Sequence, residues 1–489
     1  MMDVYEKKAV VIGSGIGGIA VAIRLKARGY QVDVLEKSEH PGGKLSECRS
    51  GDFRFDTGPS LFTLPALVDE LFSLFGKKAD DYFRVYSLPV TCNYFFPDGN
   101  QLKAWSDRQR FIEEAATCGA NPIMVEEYLE RQSFLYKYTS DFFLFNSIHR
   151  ISSYMGDAGK KSLKALHRLD AFTSMHKRNL SFFGNTNLTR LFDRYATYNG
   201  SDPFRAPATL NMIAHLEHNT GAFFPEEGMF SIVQALMKLA EEEGVVFHFN
   251  TSVKTLHLIK GKVASVQTDN SAYLSDLVVN DTDILHFYRN ILPDKKMSLK
   301  LSGRERSSSA LIFYWGMNLS TQLDVHNILF SSDYRAEFKG IFQDKHFAND
   351  LTVYIFISKK VVKMDAPDGC ENWFVMVNAP ENTGQDWGAE TERARKIILS
   401  TIKKRLNVDA EKYILCERVV TPVDIERNTS SVNGALYGQS SNSPWAAFLR
   451  HPNFSRKYRN LFFVGGSVHP GGGIPLCLAS AKIVDNLIK

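Results

Sequence analysis

Residues 9–12, AVVI, carry no polar side chain, the pattern of a strand covered on both faces within a parallel sheet. Residues 13–18 then read GSGIGG, after which Val21, Ile23 and Leu25 recur among the small Ala20, Ala22 and Ala27 as far as Gly29. That spacing predicts a short helix with Gly29 at its C-terminal stop. Residues 30–35 alternate into a second strand that ends on Glu36. Near the other end, residues 461–464 form an apolar strand, Gly465 and Gly466 a turn, and residues 469–475 a glycine-rich loop. The loop opens a last helix with Leu476, Ile483 and Leu487 along one side.

Between these ends the pattern changes several times. Residues 64–75 read as a helix ending at Gly76, and residues 82–103 as short alternating segments around the turn at 97–100. Residues 134–155 carry Phe, Leu, Tyr and Ile at irregular helical spacing, and 210–218 read as a helix. Residues 232–243 predict a helix closed by Gly244, 245–249 a strand, 253–268 a hairpin turning at Gly261, and 277–280 a buried strand. Residues 310–317, 352–357 and 373–378 predict a mainly antiparallel sheet under a helix at 389–406; one face of it can line an apolar tunnel or be ordinary core.

The fold class expected is α/β: a Rossmann-like dinucleotide-binding domain, an α+β substrate domain and a helical part facing a membrane. Its segments would be 1–80, 225–285 and 440–489 for the first, 81–107 and 286–439 for the second, and 108–224 for the third.

Composition narrows the function classes. The 489 residues allow two or three domains, and 35 Phe and 19 Tyr suit a greasy ligand cavity as well as a core. A net charge of +4 is too small for a nucleic-acid footprint spread over the molecule. The six cysteines lack C-x-x-C spacing, which argues against structural zinc and a disulfide framework. No leader is read at residues 1–5 and no apolar run reaches about 18 residues, so an intracellular protein that does not span a membrane is expected. Arg150, Lys160, Lys161, Lys164, Arg168, Lys177 and Arg178, opposed by Asp157 and Asp170, lie in an aromatic stretch at 134–180 that fits either an anionic bilayer surface or a solvated helical face.

The candidate chemistry is that of a dinucleotide site. Gly13, Gly15 and Gly18 form G-x-G-x-x-G, with Ser14, Ile16 and Gly17 between them, at the point where strand becomes helix. The first glycine permits the turn, the second the approach of a pyrophosphate, the third close packing of helix on strand. Glu36, a little over twenty residues on and followed by Lys37, can accept from ribose hydroxyls and would repel a 2′-phosphate, which leaves FAD or NAD. A second loop, Gly42, Gly43, Lys44 and Leu45, and a turn at Gly58, Pro59 and Ser60 favour FAD. Val253 is the candidate adenine contact. Gly465, Gly466, Ser467, Gly473 and Ile474 would bring backbone and a helix N-terminus against the isoalloxazine. His215 and His218, three apart, read as polar contacts rather than metal ligands, so no metal is expected.

On these motifs the chain resembles the flavoprotein group of amine oxidases, carotenoid desaturases and the flavin-free GDP-dissociation inhibitors. FFPEEGMFSIVQAL (223–236), SSSALIFYWGMN (307–318) and LFFVGGSVHPGGGIPLCLASAK (461–482) are similar to the bacterial-type carotenoid desaturases, phytoene desaturase and its relatives. RYATYNGSDPFRAPATLNMIAHLE (194–217) resembles the subgroup acting at the 3,4 bond of hydroxylated carotenoids. Two departures stand out: Glu226 and Glu227 where many members have a glycine pair, and Leu476 or Cys477 in place of a late glycine. The resemblance implies FAD-dependent loss of two hydrogens from a C40 polyene, hydride to flavin N5 and a proton elsewhere. It implies an apolar carotenoid substrate, a peripheral position on the inner face of the cell membrane, and oxygen or a quinone as final acceptor. It names no firm catalytic base. His469 is the candidate, with orienting its own loop the stronger alternative. A flavin-dependent isomerase and a prenyl-binding escort are the rival readings.

Overall fold

The computed structural model describes residues 6–165, 168–184 and 186–488; the leader reading at residues 1–5 lies outside them. Five strands form one parallel sheet in the order Leu461–Phe463, Leu277–Asn280, Lys8–Ile12, Gln31–Leu35 and Val246–His248. The N-terminal strand is therefore one place removed from the C-terminal one. Val10 and Val11 are fully buried because helices and a hairpin cover the two faces, which is why no polar residue interrupts the run.

Helix Ile16–Ala27 packs against the last helix, Ile474–Leu487. Apolar contact supplies most of that join, and charges fix its register. Buried Arg24 meets Glu70 at 2.8 Å and Asp485 at 3.5 Å, while Lys482 reaches Glu70 at 2.7 Å. Partly desolvated pairs of this kind hold geometry better than exposed ones.

The second sheet has seven strands in the order Ile414–Val420, Ser309–Met317, Glu371–Ala379, Val353–Phe356, His326–Leu329, Val90–Phe95 and Gln101–Trp105. All neighbours are antiparallel except His326–Leu329 against Val90–Phe95. The two-residue period divides its faces. Leu311, Phe313 and Trp315 pack with Trp373, Val375 and the helix Trp387–Leu406, while Ala310, Ile312, Tyr314, Phe374 and Met376 face a cavity. Both alternatives read for this sheet therefore hold, one on each face. A third wall comes from the helical segment, through Tyr136, Thr139, Leu210, Met212, Ile213 and Leu216.

A buried charge cluster ties the segment after residue 222 to the flank of the first sheet. Arg54 donates to Glu47, Asp56 and Asp365, and Asp56 accepts from the backbone N–H of Met229 at 2.9 Å and Phe230 at 3.1 Å. Gly228 sits against this cluster at φ +91°, and a Cβ there would lie 2.6 Å from an Arg54 nitrogen. Both φ and space demand glycine. Gly228→Ala is expected to destabilise the protein by more than the about 1–3 kcal/mol of backbone strain alone. Gly261→Ala, at φ +75° but with nothing within 4 Å, should show the strain alone. Denaturant midpoints of the two variants check the difference.

Candidate functional site

The glycine turn leaves strand Lys8–Ile12 at Gly13, whose φ of +99° closes the turn. Ser14 lies behind it. The Ser14 N–H and hydroxyl donate to one Glu36 oxygen at 2.8 and 2.9 Å, and the Ser38 N–H donates to the other at 2.9 Å. Glu36 is thus held at the end of its strand, with one edge on the cavity. The second loop docks directly on the first: the Gly42 N–H donates to the Ser14 carbonyl at 2.8 Å.

The C-terminal turn arrives at the same place. A Cβ on Gly17 would lie 3.2 Å from the Gly465 Cα, so the two turns touch only because neither residue has a side chain. Ser467 reinforces the meeting by accepting from the Ile284 N–H at 2.9 Å. Of the sequence candidates, Gly13, Gly15, Ile16, Gly17, Glu36, Lys37, Gly42, Gly43, Lys44 and Leu45 line one continuous cavity of about 930 Å³. So do Gly58, Pro59, Ser60, Val253, Gly466, Ser467, Gly473, Ile474 and His469. Ser14, Gly18 and Gly465 stand one layer behind.

Sequence reasoning missed Asp281, which follows strand Leu277–Asn280 and projects its carboxylate between the turns. One oxygen accepts from the Gly18 N–H at 2.9 Å; Cβ atoms on Gly15, Gly17 or Gly465 would come within 2.8 Å of the carboxylate. It occupies the positive end of helix Ile16–Ala27. Burial still pushes its carboxyl up to about 7, with Glu36 adding and Gly18 opposing. Only its neighbourhood in the sheet reveals it; the sequence places it more than two hundred residues from the turn. Lys44 lies close, and a second cation, Arg306, lies near Lys44. Lys44 donates to the Leu436 carbonyl at 2.6 Å, with its pKa lowered by burial, and Arg306 pairs with Asp283 at 2.9 Å.

This arrangement fits a dinucleotide. The cavity runs from a strand-end carboxylate, past side-chain-free backbone at a helix N-terminus, to a second glycine loop at the start of helix Ile474–Leu487. Gly13 to Gly17, Gly42 to Lys44 and Glu36 would hold the two nucleotide halves, and Gly466 to Ile474 the ring system.

Other candidates resolve as polar contacts. The Nδ1 of His215 meets the Asn219 side chain at 2.9 Å, and His218 meets the Tyr195 hydroxyl at 3.0 Å. No cluster of three metal-ligating side chains occurs among the described residues. The Nε2–H of His469 donates to the Asn146 carbonyl at 3.0 Å, and the His469 carbonyl accepts from Asn453 at 2.7 Å and Ser480 at 3.1 Å. Burial pushes that imidazole down to about 3, so it is neutral and tethered at both ends.

Known proteins resemble this chain over nearly its whole length. The family described as flavin containing amine oxidoreductase matches residues 16–484. The chain is 47% identical over 484 residues to the 1-hydroxycarotenoid 3,4-desaturase of Flavobacterium sp. (strain P99-3), covering 99% of each. It is 30% identical to the 4,4'-diaponeurosporene oxygenase of Staphylococcus aureus (strain MRSA252), over 99% of this chain and 98% of that one. Among solved structures, an oxidoreductase from Methanosarcina mazei superposes with a TM-score of 0.65 at 15% identity, covering 98% and 99% of the two chains. A putrescine oxidase superposes at 0.63 and 11% identity, covering 98% of each chain. These last two show the fold.

The raised Asp281 pKa has a signed consequence. Between about pH 4 and 7 the folded chain holds a proton that the unfolded chain, with an ordinary aspartate, has released, so stability falls as pH rises through that window. Asp281→Asn is expected to be more stable than the parent at pH 8, by an amount on the order of 2–4 kcal/mol, with the gap closing towards pH 4. Thermal unfolding of the cofactor-free proteins across that range checks it.

Proposed function

The chain belongs to the flavin-containing amine oxidoreductase family, and on that premise we propose that it is an FAD-dependent desaturase that forms the 3,4 double bond of a hydroxylated C40 carotenoid. FAD is the cofactor, and when bound it supplies the hydride acceptor. The observation that carries the substrate reading is the cavity: from the glycine turns it continues, without a break, between the seven-stranded sheet and the helical segment. Along that stretch Ala310, Ile312, Phe374, Met376, Leu210 and Leu216 supply most of an apolar wall, and the buried carboxylate there, Glu217, is already paired with Arg194, a lining for a long apolar ligand rather than for an amine. Full-length likeness to a hydroxycarotenoid desaturase supports the same reading.

The chain's own contribution is positioning. The sheet and helical walls fix the reacting bond against the ring-binding loop and keep water away from it. His469 is best read as a positioning residue. A proton acceptor needs near-neutral basicity, and burial pushes this imidazole down to about 3 while its Nε2–H is tied to the Asn146 carbonyl. The polyene disperses charge well enough for the second hydrogen to leave as a proton without a strong protein base. Oxygen or a quinone is the proposed final acceptor.

A lipid-borne substrate requires a bilayer-facing mouth. Phe143 and Phe448, in ring contact at 4.9 Å, line one end of the cavity. Trp445, on the same short helix as Phe448, is 69% exposed, and Ile151, Met155 and Phe172 are exposed on the helical segment beside Lys160, Lys161 and Lys164. Some of that charge also rests on rings: Lys161 lies over Tyr138 and Arg168 over Phe134. No helix among the described residues is long and apolar enough to cross a membrane. The proposed placement is peripheral, on the inner face of the cell membrane.

The purified FAD-loaded protein, given a hydroxylated carotenoid, should yield a red-shifted pigment lacking two hydrogens by mass. A red or blue shift at unchanged mass would make it an isomerase, and binding without conversion an escort. Flotation should recover the protein with anionic vesicles, and Trp445→Asp with Ile151→Asp should cut that recovery severalfold.

A further inference from the structure

A buried polar cluster forms a floor of the apolar cavity and meets the cofactor cradle at Ser60. Arg194 is buried. It donates to the hydroxyls of Tyr94 at 2.6 Å and Tyr198 at 3.0 Å and to Glu217 at 3.1 Å. Glu217, 1% exposed, also accepts from Tyr195 at 2.8 Å and from Tyr198. Beside them His326, 3% exposed, joins its Nδ1 to the Tyr354 hydroxyl at 2.8 Å, and Tyr354 joins Ser60 at 2.6 Å. Arg194, Tyr198, Glu217, His326, Tyr354 and Ser60 all line the cavity. Two of their buried polar atoms, Arg194 Nε and His326 Nε2, have no protein partner. An unpaired polar atom in such a place costs stability unless something satisfies it.

The charge balance says what kind of group would. Arg194 and Glu217 neutralise each other, and burial holds His326 neutral by pushing it down to about 3. An added carboxylate would face Glu217, and an added ammonium would face Arg194. A neutral group is left. The chain Ser60, Tyr354, His326 can run its protons either way, since each hydroxyl in it can donate or accept, so Nε2 is a donor in one direction and an acceptor in the other. Arg194 Nε can only donate. A hydroxyl, which both donates and accepts, matches every state of this floor; an ether or carbonyl matches only some. Ser60 also belongs to the Gly58–Pro59–Ser60 turn of the cofactor site, which puts the polar floor at the cradle end of the tunnel.

We infer that His326 and Arg194, with Tyr354 and Tyr198 behind them, form a hydroxyl-recognition site that selects a carotenoid bearing an OH close to the reacting bond. The inference rests on the desaturase reading and assigns its specificity to named side chains. A site built to hydrogen-bond an OH rejects the analogue lacking it far more strongly than an apolar wall rejects one added methylene.

The test uses the FAD-loaded protein, a hydroxylated acyclic carotene and its deoxy counterpart, with kcat, KM and pigment binding by protein-fluorescence quenching. The parent should favour the hydroxylated pigment in kcat/KM. His326→Phe, which keeps the ring stack on Phe356, should lower that preference about tenfold, the scale of one hydrogen bond, chiefly through KM and with flavin absorbance unchanged. Tyr354→Phe should move it the same way, and His326→Gln should restore part of it. The double variant Arg194→Met with Glu217→Gln removes the pair without stranding a buried charge. Equal losses on both pigments in every variant would overturn the inference and leave the desaturase standing. A parent that binds and converts neither pigment would overturn both.

Discussion

The molecule depends on one close approach, that of two glycine turns from opposite ends of the chain over the N-terminus of a single helix. Gly17 and Gly465 are near enough that a methyl group on either would collide with the other turn or with Asp281. The parallel sheet makes the approach possible by setting Leu461–Phe463 beside Leu277–Asn280 and that strand beside Lys8–Ile12. Helix against helix, with Arg24 bridging Glu70 and Asp485, then locks the distance. Cofactor cradle, ring loop and tunnel mouth all take their positions from this contact.

Much of this was legible in the residue pattern because it is local. A run such as AVVI followed by GSGIGG has few conformations open to it, and the apolar runs at 310–317 and 373–378 predicted strands of a mainly antiparallel sheet, with the use of one face left between tunnel and core. The fold class followed from those stretches, and the family resemblance from them together with residues 223–236, 307–318 and 461–482. Asp281, Arg194, Glu217 and His326 were not legible, for one physical reason. Each acts through neighbours brought by the topology: Asp281 through Gly18 and Gly465, Arg194 through Tyr94 and Glu217, His326 through Tyr354 and Ser60. No spacing rule encodes such meetings. The histidine pair at 215 and 218 was recognised as polar contacts, but their partners, Asn219 and Tyr195, appear only in three dimensions.

The seven-stranded sheet shows how one element serves two needs. Its odd positions in Ser309–Met317 are core against helix Trp387–Leu406, and its even positions are tunnel wall. Packing on the first face keeps the second rigid, which is how a soft polyene can be held by side chains that make no directional bonds with it.

The distance along the chain between the two turns also governs when the cradle exists. A segment leaving the ribosome can form the first strand, turn and helix early, but the facing glycine turn and ring loop arrive only with residues 461–477, after the intervening sheet has closed a very long loop. A complete cradle therefore needs both segments, however early the first of them folds. A ligand held there stitches together turns more than four hundred residues apart, so that the vitamin-derived group acts as a clasp across the fold rather than on one lobe of it.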